Sequence, residues 1–166
     1  NIANQTVSVD VPGTWWAVGP KYWVDGNYET GSNSPKKGGF NYNFIYDDAR
    51  LISKVVVYGN GTVVCVPDWN NKHENTDNIT DVTVQLLDAN GLLVYETETY
   101  NFKGETKVEI VLPYTYYAYQ VNLKFNGAAS SSYVREIEIY DTTVENIDPE
   151  FVEIVAPQEG CFDRVN

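Results

Sequence analysis

The stretch YWVDGNYETG, Tyr22 to Gly31, crowds Asp25, Asn27, Glu29 and Thr30 around Gly26 and Gly31. Each of the four offers a side-chain oxygen. Hard divalent cations of calcium size take roughly six to eight oxygens at about 2.3–2.6 Å, from carboxylates, amides, hydroxyls and backbone carbonyls. A tight loop can supply several of them, because glycine lets its carbonyls turn inward. Asp25, Asn27 and Thr30 meet that need. The spacing is not that of an EF-hand, which would carry a third acidic position and a closing Glu. A further carboxylate must therefore come from elsewhere in the chain. Asp-Gly-Asn is also ordinary turn chemistry. Residue types alone leave a cation loop and a plain surface turn both open.

Two other segments carry recognition chemistry. PGTWWAVGPK (Pro12–Lys21) holds Trp15 and Trp16, and PDWNNKHENTDN (Pro67–Asn78) holds Trp69, Asn70, Asn71, Lys72 and the single histidine, His73. Sugars are gripped by an aromatic ring under their apolar face and by polar groups at their hydroxyls. Long loops in a compact β domain are usually functional. Adjacent residues on an extended chain point opposite ways, so one of Trp15 and Trp16 packs inward. Trp69, between Asp68 and Asn70, is expected at the surface. His73 reads either as a ligand contact or as a solvated loop residue. A third, shorter loop candidate is NGAASSS, Asn126 to Ser132.

Catalysis finds little support. No G-x-S-x-G elbow accompanies His73, and His-rich or Cys-rich metal patterns and glycine-rich phosphate loops are absent. With 23 acidic residues some carboxylate pair is inevitable, so pairing alone does not indicate glycoside hydrolysis.

The 166 residues suffice for one domain with a proper core. The net charge of −12 repels phosphate backbones and anionic lipid and attracts cations, which argues against a nucleic-acid partner. No apolar run approaches the ~20 residues of a membrane span. The chain starts at Asn1 and reads as a mature or excised fragment. Cys65 and Cys161 are the only cysteines. Cys65 lies in TVVCV, where it serves as a small buried hydrophobe, and Cys161 in a polar tail. A Cys65–Cys161 bridge and two free thiols both remain open. Three sequons begin at Asn4, Asn60 and Asn78.

The elements that must position these residues read as strands. TVSVDV, FNYNFIY, LISKVVVYG (after a turn at DDAR), TVVCV, TDVTVQLLD, LLVYETETY, TKVEIVL, YAYQVNLKF and YVREIEIYD alternate or run apolar between Gly, Asn and Asp turns. No stretch shows a 3.6-residue stripe. Eight or nine strands predict an all-β domain, a sandwich or jelly roll. After Asp141 the chain turns acidic, with two prolines. Residues 1–141 are taken as the domain and 142–166 as a C-terminal extension or linker, in which FVEIV could add an edge strand.

The order of NIANQTVSV, YWVDGNYETG, ISKVVVYG, TDVTVQLLDANG, YAYQVNLKF and VREIEIYD resembles the galactose-binding-like superfamily. That group includes discoidin (coagulation factor C-type) domains, fucose-binding lectins and bacterial carbohydrate-binding modules. The resemblance spans roughly residues 1–141. It implies a β-sandwich jelly roll with its two ends close together. It also implies a structural calcium ion, with the DGN..T loop clamped by a glutamate on the last strand. The implied shell is the side chains of Asp25, Thr30 and Glu136, with Asn27 and backbone carbonyls near Tyr22 and Arg135. Glu138, on the same strand face, is the competing carboxylate. Tyr22 and Trp23 are expected to pack beneath the loop. The implied ligand end gathers Trp15, Trp16, Trp69, Asn70 and His73, with Asn126 on the third loop. The chain departs from the fucose lectins in lacking their Arg pair, and from many members in having TGSNS after the loop. Sugar specificity therefore does not carry over.

These readings make the chain a non-catalytic, extracellular or cell-surface, calcium-stabilised carbohydrate-binding module of a larger protein, with a glycan as partner. The rival readings are a discoidin-like adhesion module that engages a protein or cell surface through its Trp loops, and a ligand-free spacer.

Overall fold

The computed structural model describes residues 1–10, 20–33, 39–65, 71–76, 79–125 and 133–142. Ten strands run in order: β1 (Ser8–Asp10), β2 (Thr30–Asn33), β3 (Phe40–Gly59), β4 (Gly61–Cys65), β5 (Asn71–Thr76), β6 (Asp81–Leu87), β7 (Leu93–Glu96), β8 (Tyr100–Asn101), β9 (Lys107–Phe125) and β10 (Tyr133–Asp141). Among the described residues the only helical pieces are 3-10 turns at Ala3–Gln5 and Pro20–Trp23. The chain folds as an all-β sandwich of the jelly-roll kind, as its alternation predicts.

Two strands are too long to be straight. The 20 residues of β3 would span roughly 65 Å at about 3.3 Å each. A folded chain of this length has a radius of gyration near 15 Å. Both β3 and its antiparallel partner β9 therefore bend where their pairing slips. Register jumps from Ile45↔Gln120 to Arg50↔Ala118, which leaves Tyr46–Ala49 opposite Tyr119 alone. It jumps again from Ile52↔Tyr116 to Lys54↔Val111, which leaves Leu112–Thr115 opposite Ser53. Pro113, which cannot donate to a ladder, sits in that second bulge. The first half of β3 joins β1, the second half of β9, β6, β7 and β8. The other halves join β10, β2, β4 and β5. The sequence reading of two strands around a DDAR turn is thus corrected. The chain stays extended through Asp47–Arg50, and a bulge supplies the bend. Likewise TKVEIVL and YAYQVNLKF are one strand, not two.

Alternation decides what faces inward. Phe40, Tyr42 and Phe44 of β3 meet Val121, Leu123 and Phe125 of β9 and Val82, Val84 and Leu86 of β6 in the core. Phe40 stacks on Phe125 at 4.8 Å. Val55 and Val57 pack with Ile110, Ile137 and Ile139 in the same cluster. The two ends of the domain meet, as the resemblance implies. Ile2 N–H donates to Ile139 O at 2.6 Å, and Asn1 Oδ1 accepts from Ile139 N at 3.1 Å.

Two further corrections concern loops. The segment Pro67–Asn78, read as a loop, contains β5, which pairs with β4. Thr30 and Gly31, read as the end of the oxygen-rich loop, belong with Ser32 and Asn33 to β2, which pairs in parallel with β4. Polar strands of this kind carry no alternation signal, so backbone pairing alone reveals them. The FVEIV edge strand and the whole of 143–166 lie outside the described residues.

Asn60 links β3 to β4 in the left-handed region, at φ 49°. Asn tolerates that conformation better than most residues. Its side chain is buried and spans a neighbouring backbone. Nδ2 donates to Ile79 O at 3.1 Å, and Oδ1 accepts from Ile79 N at 3.0 Å. The nitrogen that an N-glycan would take is thus engaged in the core, so glycosylation of this sequon is incompatible with the fold. Asn60→Ala leaves two buried backbone groups unpaired and puts a residue that tolerates the left-handed region less well than Asn at φ 49°. The expected cost is about 2–4 kcal/mol of unfolding free energy in a urea titration. A loss under ~0.5 kcal/mol would show that the Ile79 bonds do not hold this turn.

Candidate functional site

The loop is built on a buried ring. Trp23 closes the 3-10 turn Pro20–Trp23, is fully buried, and stacks on Tyr42 at 4.0 Å with the rings 17° apart. It packs beneath the loop as expected. Its neighbour Tyr22 is only half-buried, with Lys21 Nζ 5.1 Å from its ring centre. The chain then turns through Gly26 at φ +78°, which aims its N–H at the last strand.

That N–H donates to Glu136 Oε2 at 2.9 Å, across 110 residues. Asp25 organises the loop from within. Its Oδ1 accepts from Asn27 N at 2.9 Å and its Oδ2 from the Thr30 hydroxyl at 3.0 Å. The Thr30 hydroxyl also lies 3.3 Å from the carbonyl of Asn27. Asn27 Oδ1 is occupied by Glu29 N at 3.0 Å, so Asn27 has its main-chain oxygen to offer a ligand. The structure therefore brings Asp25, Asn27, Thr30 and Glu136 together.

Glu136 is 1% exposed, and its Oε1 is buried with no hydrogen-bond partner. Burial first, and then the negative charge of nearby Asp25, push its carboxyl up to about 8. The Asp25 and Glu136 carboxylates thus lie near each other, with Oε1 of Glu136 unpartnered. Asp25, Glu136, the Thr30 hydroxyl and the Asn27 carbonyl form a hard, all-oxygen donor set, which suits calcium chemistry. Among the described residues no group of three or more His, Cys, Asp or Glu gathers.

Glu138 is a different kind of carboxylate. The phenols of Tyr28 and Tyr140 both donate to it, Tyr140 at 2.9 Å. Both its oxygens accept from phenols, whereas Glu136 keeps one oxygen without a partner. Arg135 sits at a register slip between Val134 and Glu136 in the pairing of β10 with β3. Such a bulge re-aims the side chains around it. The sequence reading assigned Arg135 a carbonyl near the ion. The structure gives its guanidinium a separate job. It donates to the carbonyls of Tyr28 at 3.0 Å, Gly59 at 3.3 Å and Thr106 at 3.4 Å, and so ties the loop to both neighbouring turns. Burial lowers its pKa from the ordinary Arg value. Neither the Arg135 clamp nor the Tyr28–Glu138 bond was anticipated. The alternation of REIEIY offered a signal, because it sets Glu136, Glu138 and Tyr140 on one face of β10.

The expected ligand residues Trp15, Trp16, Trp69, Asn70 and Asn126 lie outside the described residues, as does the side chain of His73. The backbone of His73 is placed in β5, opposite Val63. Cys161 and the side chain of Cys65 also lie outside them.

No family model matches the chain, and no curated protein does. Solved structures do match. The lectin domain of lectinolysin, complexed with Lewis B antigen, superposes with a TM-score of 0.64 at 16% identity, over 86% of this chain and 97% of that one. The Streptococcus pneumoniae fucose binding module SpX-3 gives 0.64 at 13% identity, over 86% and 98%. A Ruminococcus gnavus fucosidase in complex with fucose gives 0.61 at 16% identity, over 89% of this chain and 28% of that one. At these identities the likeness speaks to the fold, and the fold of this chain is that of the galactose-binding-like lectin and carbohydrate-binding domains.

Proposed function

We propose that the chain is a non-catalytic carbohydrate-binding module, carried outside the cell as part of a larger protein and stabilised by calcium. The observation that supports the carbohydrate reading most is its likeness, over 86% of its length, to domains solved with or named for glycans. The fucosidase match, which covers 28% of that chain, is an instance of this fold inside a larger enzyme. No helix of the described residues is long and apolar enough to cross a membrane.

In this reading calcium joins Asp25, Thr30, Glu136 and the Asn27 carbonyl, with carbonyls near Tyr22 and Arg135 completing its shell. Its role is to neutralise the converging carboxylates and hold the first loop against β10. Recognition belongs to Trp15 or Trp16 with Trp69 as aromatic surfaces, and to Asn70, His73 and Asn126 as hydrogen-bonding groups. A glycan array that includes Lewis b and other fucosylated structures tests the function. Binding to defined glycans is expected, and silence across a broad array would overturn the reading.

Trp69→Ala should abolish array binding and leave the melting temperature within about a degree. A stacked ring contributes about 1–3 kcal/mol, by analogy with aromatic platforms elsewhere. Millimolar sugar affinities near −4 kcal/mol do not survive that loss. Normal binding by the variant, or its unfolding, would move the site away from Trp69.

A further inference from the structure

A second concavity lies far in strand order from the loop and β10. A cleft of about 310 Å³ is lined by Tyr95, Thr97, Glu98, Tyr100, Val111 and Pro113. One wall is the short passage between β7 and β8. The Thr97 hydroxyl accepts from Val84 N at 3.0 Å and donates to Glu98 O at 2.8 Å. The hydroxyls of Thr83 and Thr99 meet at 2.8 Å. Glu98 is therefore held on both sides by bonds to β6 and is not on a free loop. The facing wall is the β9 bulge, where Pro113 fixes the backbone and Val111 is exposed. Behind them Tyr95 stacks on Tyr116 at 4.3 Å. Bulges commonly sit beside binding sites, where they re-aim side chains. Here Pro113 of the bulge lines the cleft.

The lining defines what would fit. Glu98 is its only charged residue, and no cationic side chain pairs with it among the described residues. The chain as a whole carries a net charge of −12. Glu98 and Tyr100 both line the cleft, and burial, then the negative charge of Glu98, raise the Tyr100 phenol above its ordinary range. Aromatic faces beside an unpaired carboxylate favour a cation. The volume is at the small end of ligand sites, which run from about 300 Å³ upward, and suits a single ring. A phenol and a carboxylate at the mouth suit hydroxyl groups.

We propose that this cleft is a second binding site that takes one amine-bearing sugar ring, its ammonium held by Glu98 beside Tyr95 and Tyr100. It is independent of the Trp-bearing loops.

Amide NMR titrations of the 166-residue chain with glucosamine, glucose and glucuronate test it. Glucosamine should shift the amides of Tyr95–Tyr100, Val111 and Leu112, with an affinity at least tenfold better than that of glucose. Glucuronate should leave them unmoved. Glu98→Gln should reduce glucosamine affinity about tenfold and bring it level with glucose. Val111→Arg, at an exposed position, should block both sugars while the remaining amides keep their shifts. Trp69→Ala should not alter the titration, which separates this cleft from the proposed loop platform. Equal responses to glucosamine and glucose, unchanged binding in Glu98→Gln, or shifts confined to residues 12–21 and 67–78 would each overturn the proposal.

Discussion

Chelation should lower the melting temperature by roughly 10 °C near pH 8.5 and by far less near pH 5. A ligand that binds only the folded state stabilises by RT ln(1 + [L]/Kd), about 4 kcal/mol at a thousandfold excess over Kd. A domain of this size loses about 2–4 °C per kcal/mol. The pH dependence follows from Glu136. Its folded value without metal, about 8, lies above its ordinary 4.5. The raised value makes the metal-free fold most stable below the ordinary carboxylate range, and that stability is lost as pH rises through 8. Calcium needs the ionised carboxylate, so its contribution grows over the same window. Glu136→Gln separates the effects. The amide oxygen can still accept from Gly26 N–H, and no buried charge remains to be offset. In chelator at high pH this variant should melt at or above the wild-type temperature and should not respond to added calcium. A wild-type melt that is identical with and without chelator at pH 8.5 would remove calcium from the account.

Trp23→Ala should cost about 3–5 kcal/mol in urea denaturation, the range for emptying a fully buried large ring. Total stabilities are about 5–15 kcal/mol, so the variant would sit near the threshold of folding. The ring does two jobs. It stacks on Tyr42 at 4.0 Å within the core, and it fixes the turn from which Asp25 and Gly26 depart. Calcium affinity should therefore fall along with stability. Trp23→Phe should cost far less, because it keeps an aromatic face and because the buried indole N–H has no partner to lose. A loss below ~1 kcal/mol for Trp23→Ala would show that the loop does not rest on this ring.

Much of the fold was written locally. Period-two alternation in FNYNFIY, TDVTVQLLD and YVREIEIYD marks the first part of β3 and the whole of β6 and β10, and the positive φ of Lys103 and Gly104 bears out the KG turn. The loop's internal wiring was also local, since Asp25, Asn27 and Thr30 bond within five positions of one another. Side-chain alternation and Asx chemistry depend on near neighbours, and a sequence displays them directly.

What tertiary structure decided involves partners far apart in the chain. Whether DDAR turned the chain or bent it depended on the slip of β3 against β9, some 70 residues away. Polar β2 and β5 became strands only because β4 and β10 offered unpaired edges. Glu136 and Glu138 are chemically identical and lie two residues apart on one face. Phenols from Tyr28 and Tyr140 occupy one, while the other faces Gly26 N–H with a bare oxygen. Burial and partner geometry, which exist only once distant segments pack, separated a structural carboxylate from a candidate ligand.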